Sequence, residues 1–244
     1  MLDTIRIKPL NEQAMAAARQ REDSLVKPLG SLGMLEEYAV RLAGIRGFLG
    51  GTFKKKAVMV FAADNGIHAQ GITPVPKEVT YIQTLNIANG IAGVSVLAKQ
   101  AGADVVVYNV GVEPPLAHEK VRDRLVMHGT NDMTQGPAMS RGQCERAIKA
   151  GMDAVAELEG VGVLGIGEMG ICNTSTTAAV ACALLSLPPE KLAGRGAGIT
   201  DEQYRKKVDA ISRALAVNKP DKNDVVDVLA KVGGLDIAAM TGAY

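Results

Sequence analysis

The sequence predicts an α/β protein: a doubly wound parallel sheet with a small helical part at its N-terminal end. Three observations carry this. Apolar runs at 56–63 and 104–112 show no alternation, which marks strands buried on both faces. A third run, from Val161, alternates apolar residues with glycine and leads through a glycine turn into an Ala/Leu-rich stretch. Helical patterns separate these runs, and strands alternating with helices build parallel βαβ units. Residues 1–50 are expected to form the helical part and 51–244 the α/β domain.

At 244 residues the chain is one large domain or one domain with an appendage. An apolar fraction of 47% is ample for a core, and with aromatics at 3% that core must rest on Ala, Val, Leu, Ile and Met. The net charge of +1, with no basic tract, argues against a nucleic-acid or membrane-surface role. Cys144, Cys172 and Cys182 show no paired spacing, which suits a reducing cytoplasm. No run is long and apolar enough to span a bilayer.

The elements follow in order. Asn11 opens a first helix, from residue 12 to about 22. Pro28 and Gly30 hold a turn, Ser31 is placed to cap, and Leu35, Ala39, Leu42 and Ile45 form one apolar face of a second helix. The strand at 56–63 ends in Asp64-Asn65-Gly66. Asp64 reads equally as a carboxylate facing a ligand at a strand's C-terminal end or as a turn residue bonding its own backbone. Pro76 suits a first helical turn, Asn89-Gly90 interrupts that helix, and it resumes to Gln100. The strand at 104–112 is ended by Pro114-Pro115. Residues 128–139 form a polar, Gly-rich loop. Ser140 with Gln143 and Thr200 with Gln203 fit capping boxes, each opening a helix. Pro188-Pro189 break the chain. A short helix covers 223–231, and another begins at Leu235.

The focal stretch is Val161 to Leu185. A buried strand, a tight turn and a helix capped by Asn173 or Thr174 together make an anion site, where unpaired N–H groups and the helix dipole face a ligand. Glu168 in that turn would repel a phosphate, so it is expected to face another part of the ligand. Gly165-Ile166-Gly167-Glu168-Met169-Gly170 also matches the G-x-G-x-x-G of a Rossmann-like dinucleotide site. Against that reading, it comes after two strands, carries Glu168 inside the turn, and has no strand before the next acidic residue. No phosphate loop of the G-x-x-x-x-G-K-[ST] type and no G-x-S-x-G elbow is present. His68, His118 and His128 show no metal-ligand spacing, so no metal and no cofactor is expected.

As a group the segments resemble the nicotinate-nucleotide–dimethylbenzimidazole phosphoribosyltransferases, which make the lower-ligand nucleotide of cobalamin and other cobamides. The resemblance rests on Lys27-Pro28-Leu29-Gly30-Ser31-Leu32-Gly33, Ala63-Asp64-Asn65-Gly66, Pro76-Lys77-Glu78-Val79-Thr80, Asn109-Val110-Gly111-Val112, Gly129-Thr130-Asn131-Asp132-Met133, Gly136-Pro137-Ala138-Met139, Gly167-Glu168-Met169-Gly170-Ile171 with Asn173-Thr174, and Gly194-Arg195-Gly196-Ala197-Gly198. It implies a homodimer and transfer of 5-phosphoribose from nicotinate mononucleotide to a benzimidazole nitrogen, with inversion. Glu168 would be the carboxylate that stabilises an oxocarbenium-like transition state. Gly170, Cys172, Asn173, Thr174, Gly196, Gly198 and Lys207 would hold the nucleotide and its phosphate. Thr73, Ile82 and Gln83 would border the acceptor base.

The sequence departs from this pattern. The family usually has His at Asn65, Gly at Cys172, Thr at Ala197, Ser at Thr73 and Gln at Ile82. The last two changes admit another aromatic acceptor, including a phenol. Family members also run past Tyr244 into a segment with the general-base glutamate, so the α/β domain is expected to be incomplete, the chain to lack that base, and its exposed apolar surface to favour self-association. The alternatives are a non-catalytic or phenol-specific paralogue that partners an active copy, and a dinucleotide-dependent oxidoreductase.

Overall fold

A computed structural model describes residues 5–244. The chain divides into two compact units, one ending at Phe53 and the other spanning Lys54–Tyr244.

The first unit is a helix pair, α1 (Glu12–Ser24) and α2 (Met34–Arg46). Asn11 caps α1 by accepting from the Ala14 N–H at 2.9 Å. Ser31 does not cap α2; Gly33, at φ 55°, holds that position without a side-chain bond. Two tight turns, Ser31 N–H to Pro28 O and Gly33 N–H to Gly30 O, absorb the preceding segment instead. The predicted apolar face of α2 is also rotated. Val40, Ala43 and Gly44 are buried, while Leu35, Leu42 and Ile45 are exposed. The reason lies in α1, whose contact face is Ala14 and Ala18: a small-residue seam lets the helices approach closely, with Met15 against Gly44.

In the second unit, β1 (Lys56–Ala63), β2 (Asp104–Gly111), β3 (Val121–Asp123) and β4 (Val163–Met169) form a parallel sheet in the order β3-β2-β1-β4. Between β1 and β2 lie a 3₁₀ turn (Gly66–Gln70), α3 (Val79–Ala88) and α4 (Gly93–Gln100); α5 (Arg141–Ala156) precedes β4. After β4 come α6 (Asn173–Leu185), α7 (Pro189–Leu192), α8 (Asp201–Asn218), α9 (Val225–Val232) and α10 (Leu235–Ala243). Thus α7 begins directly at Pro189, a position where proline's missing N–H costs nothing. Both predicted capping boxes form in full, at Ser140–Gln143 and Thr200–Gln203.

The core strands β1 and β2 stack Phe61 on Tyr108, with ring centroids 5.4 Å apart. β4 is not the fully buried strand the apolar run implied. Its residues are half-buried or exposed because, among the described residues, it pairs on one side only, and Gly165 and Gly167 bring no side chains to cover it. Helix α10 lies against α5 with backbone nearly touching backbone: a Cβ on Gly151 would overlap Ala239 O, and one on Gly242 would overlap Ile148 O.

Candidate active site

The chain runs from β1 towards β2 on one side, and β4 is added on the other side of β1. The carboxyl ends of β1 and β4 therefore meet where the strand order reverses, the place where open α/β sheets bind ligands. Registered pairing sets Phe61 beside Glu168 and Ala62 beside Met169. The turn after β1 then places Asp64 and Asn65 in a neighbouring cavity, and a shared wall at Ile171 joins it to the crevice into which the turn after β4 delivers Gly170, Cys172 and Asn173.

A cavity of ≈ 160 Å³ opens there. It is lined by the segments around Thr73, 169–175 and 195–199, and by Lys207. Of the residues named from the sequence, Thr73, Gly170, Cys172, Asn173, Thr174, Gly196 and Lys207 line it. Gly198 stands on the same loop, at φ 81°, but outside the lining. Ile82 and Gln83 do not reach the cavity either. They lie on α3, where Ile82 is 51% exposed, and Gln83 accepts from Asn86 at 3.1 Å, so the face of α3 turned towards the β4 turn is instead that of Thr80. Glu168 sits just behind the lining, accepting from Asn173 Nδ2 at 2.6 Å.

Lys207 is the buried cation of the cavity, which Arg195 also lines. It is 2% exposed although it carries an ammonium, and it donates to Thr174 Oγ1 at 2.8 Å and to Gly194 O at 2.9 Å. Burial lowers its pKa below that of an ordinary lysine. Two neutral oxygens leave one of its three N–H donors, and its full charge, for an anion. Its position early in α8, unfavourable to the helix dipole, is explained by this reach into the cavity.

The first N–H groups of α6 differ from the expected row of free donors. Asn173 N–H bonds Gly170 O at 3.1 Å, Ser175 N–H bonds Cys172 O at 2.8 Å, and Thr174 N–H is held by the Asn173 side chain at 2.6 Å. Neither Asn173 nor Thr174 is the cap. That position is Cys172, at φ 73° and with no side-chain bond. Burial pushes the Cys172 thiol up to about 12, so it is an inert sulfhydryl beside Lys207.

Around this cavity Asp64 and Asp236 are buried and Glu168 is half-buried. Glu168 titrates above the usual carboxylate range because burial outweighs the Asn173 bond. Asp64 is 5% exposed, and its Oδ2 accepts from Glu113 N–H at 2.8 Å. It thereby clamps the turn after β2 and lines a second cavity of ≈ 360 Å³, along with His68, Lys77 and Glu113. The loop 128–139 supports the same region: Thr130 Oγ1 accepts from Gly66 N–H at 3.0 Å, and a Cβ on Gly66 would overlap Thr130 O. Sequence reasoning missed Arg195 and Met169 in the lining, and Asp236, fully buried at the start of α10. Arg195 was visible as the cation inside a glycine loop. Asp236 carried no local signal beyond an acid in an apolar helix. Among the described residues no group of three or more His, Cys, Asp or Glu is placed to hold a metal ion.

A phosphoribosyltransferase family model matches residues 7–244. The nicotinate-nucleotide–dimethylbenzimidazole phosphoribosyltransferase of Ruminiclostridium cellulolyticum is 44% identical over 240 residues, covering 98% of this chain and 68% of that protein. This chain belongs to that family. The family's enzyme from Chloroflexus aggregans is also 44% identical, over 97% of this chain and 68% of its own length. The crystal structure of CobT from Thermus thermophilus superposes with a TM-score of 0.90 at 42% identity, over 95% of this chain and 70% of that one. The family members matched here are phosphoribosyltransferases, and their doubly wound scaffold is the one described above.

Proposed function

We propose that this chain transfers 5-phosphoribose from nicotinate mononucleotide to 5,6-dimethylbenzimidazole or a related aromatic lower-ligand base, releasing nicotinate. One observation carries the reading: a half-buried carboxylate, Glu168, and the buried cation Lys207 flank the same turn, joined through Asn173 and Thr174. The Lys207 ammonium and the backbone around Gly170 and Gly196 take the 5-phosphate, with Gly198 turning the loop that carries Gly196. Glu168, kept behind the lining, faces the anomeric carbon as nicotinate departs. Positive charge develops there, and a fixed carboxylate in a desolvated crevice stabilises it more than water would. The acceptor base stacks in the apolar part of the cavity, by Ile72, Thr73 and Met169. Thr73, in place of the family's usual Ser, admits a phenol as an alternative acceptor.

A homodimer, or a heterodimer with a paralogue, fits the exposed Val26, Leu29, Leu35 and Ile45 of the first unit. A cytoplasmic location fits a phosphorylated nucleotide donor and three free cysteines. Incubating the protein with nicotinate mononucleotide and dimethylbenzimidazole, and then with p-cresol, tests the reading. Nicotinate release that depends on an acceptor is the expected result. Binding of the mononucleotide without turnover of either acceptor favours the non-catalytic paralogue, and binding of NAD in its place rejects both readings.

A further inference from the structure

At the start of α10 a side chain stands that the proposed reaction does not use. Asp236 is 0% exposed. Its Oδ1 accepts from the Ile237 N–H at 2.9 Å, while its Oδ2 is buried with no partner. The facing side chain is Asn65, whose Nδ2 donates to Ile171 O at 3.3 Å and whose Oδ1 is likewise buried and without a partner. The two groups are neighbours around two glycines. A Cβ on Gly234 would overlap Asp236 Oδ1 and lie 2.6 Å from Asn65 Oδ1. A Cβ on Gly170 would lie 2.8 Å from Asn65 Nδ2 and 3.1 Å from Asp236 Oδ2.

Counting donors and acceptors exposes a deficit. Asn65 Oδ1, Asp236 and Ile171 O all accept, and the donors among them are the two hydrogens of the Asn65 amide, one on Ile171 O and the other turned to Asp236, which leaves Asn65 Oδ1 without one. Turning the amide over does not help, because Oδ1 would then face Ile171 O. Buried acceptors are normally satisfied, so one hydrogen is missing from this cluster. A carboxylic acid supplies it.

We propose that Asp236 is a positioning residue that carries a proton in the folded chain and donates it to Asn65 Oδ1, so that Asn65 Nδ2 is held on Ile171 O and the turn from Glu168 to Asn173 is fixed. The cluster then carries one negative charge, on Glu168. The groups facing Asp236 agree with this. From β4 the facing charge is Glu168; from the end of β1 it is the neutral Asn65; β2 meets α10 through Gly111, and α5 through Ile148 and Gly151. Asp236 is the one charged side chain of α10. Burial and the Glu168 charge push its carboxyl up to about 7.

The positioning role rests on the reading of Glu168 given above; the proton does not. Two ligand-free measurements therefore come first. In the full chain labelled with ¹³C at aspartate Cγ, one resonance, absent from Asp236→Asn, should stay in the protonated form through pH 5 and titrate near neutrality. In thermal melts the sign is fixed by linkage: a folded-state pKa above the unfolded one binds extra protons between the two values, so stability falls as pH rises through that window. Asp236→Asn should gain on the wild type by several degrees in Tm between pH 5 and pH 8. An Asp236 carboxylate ionised from pH 5 to 8, or an Asn variant less stable by the same margin at both pH values, overturns the proton. Calorimetry with nicotinate mononucleotide then tests the positioning. Asp236→Asn, which keeps a donor, should bind within about threefold of wild type, and Asp236→Ala should lose about tenfold or more. Equal losses in both variants overturn the positioning. If Asp236→Asn does not fold, the wild-type titration still decides the protonation. Absence of binding by wild type would reject the nucleotide reading and leave the protonation result standing.

Discussion

Two helices begin beside the same cavity, and they begin in opposite ways. Helix α8 is sealed by a complete capping box, with Thr200 and Gln203 each satisfying the other's backbone. Helix α6 starts at Cys172, in the left-handed region and with no side-chain cap. A capping box contributes about 1 kcal/mol, and a left-handed non-glycine residue costs about as much. One start is built for stability alone. At the other, stability has been given up where Glu168, Asn173 and Lys207 converge. The side chains at this start serve the turn as well: Asn173 accepts from the Thr174 N–H with its Oδ1 but gives its Nδ2 to Glu168, and Thr174 bonds Lys207. Other helices also start without a side-chain cap, at Glu78 and Ala92 for example, but α6 is the one whose uncapped start lines the cavity with a left-handed residue.

The contrast can be broken most severely at Glu168. Glu168→Gln keeps an oxygen for Asn173 and removes the charge. The expected outcome is a loss of about 10²–10³ in kcat, the scale of one well-placed electrostatic group, with the melt unchanged. Because burial raises the Glu168 pKa, the acid limb of kcat in the wild type should lie at higher pH than for an ordinary glutamate, and Glu168→Gln should abolish that limb.

Lys207 tests the other side of the turn. Lys207→Met keeps the buried stem and deletes the charge, so KM for nicotinate mononucleotide should rise about tenfold to a hundredfold while kcat changes less. Since the pKa of Lys207 is lowered by burial, nucleotide affinity should decline on the alkaline side before an exposed lysine would lose its proton.

Smaller effects sharpen the comparison. At Cys172, replacement by Gly should be more stable than replacement by Ala by about 1 kcal/mol, read from urea midpoints, because Gly alone is at ease at φ 73°. Thr200→Ala should cost about 1 kcal/mol, some 2–4 °C in Tm, and leave turnover unchanged. A drop in turnover with Thr200→Ala would mean that the sealed start also shapes the site.

Much of this was legible in local patterns. The bounds of β1 follow from the unbroken apolar run 56–63, because a strand buried on both faces has no polar residues to interrupt it. Both capping boxes were readable for a similar reason, since their partners lie three residues apart. The helix at Asn11 was readable as well, whereas the meeting of the 167–174 and 194–198 loops was implied only by the family resemblance. The short strand β3 was not, since three residues after Pro114-Pro115 give no periodicity and only pairing with β2 makes them a strand. Of the residues expected around the acceptor base, Thr73 lines the cavity, but Ile82 and Gln83 are turned away by the rotation of α3. Helix phase depends on what the helix packs against, which no window of its own residues contains.

By itself the sequence determined the element types, the parallel architecture, the family and the glycine turn after β4 that carries Glu168. These depend on residues near one another in the chain, whose spacing dictates backbone conformation. Tertiary structure alone decided that Lys207 is buried with Thr174 and Gly194, that Ile82 stays outside, and that Asp236 lies against Asn65 behind the Glu168 turn. Those residues are 13 to more than 100 positions apart, and only the packing of α8 on α6 and of α10 on β1 and β4 removes the water that would otherwise have satisfied them.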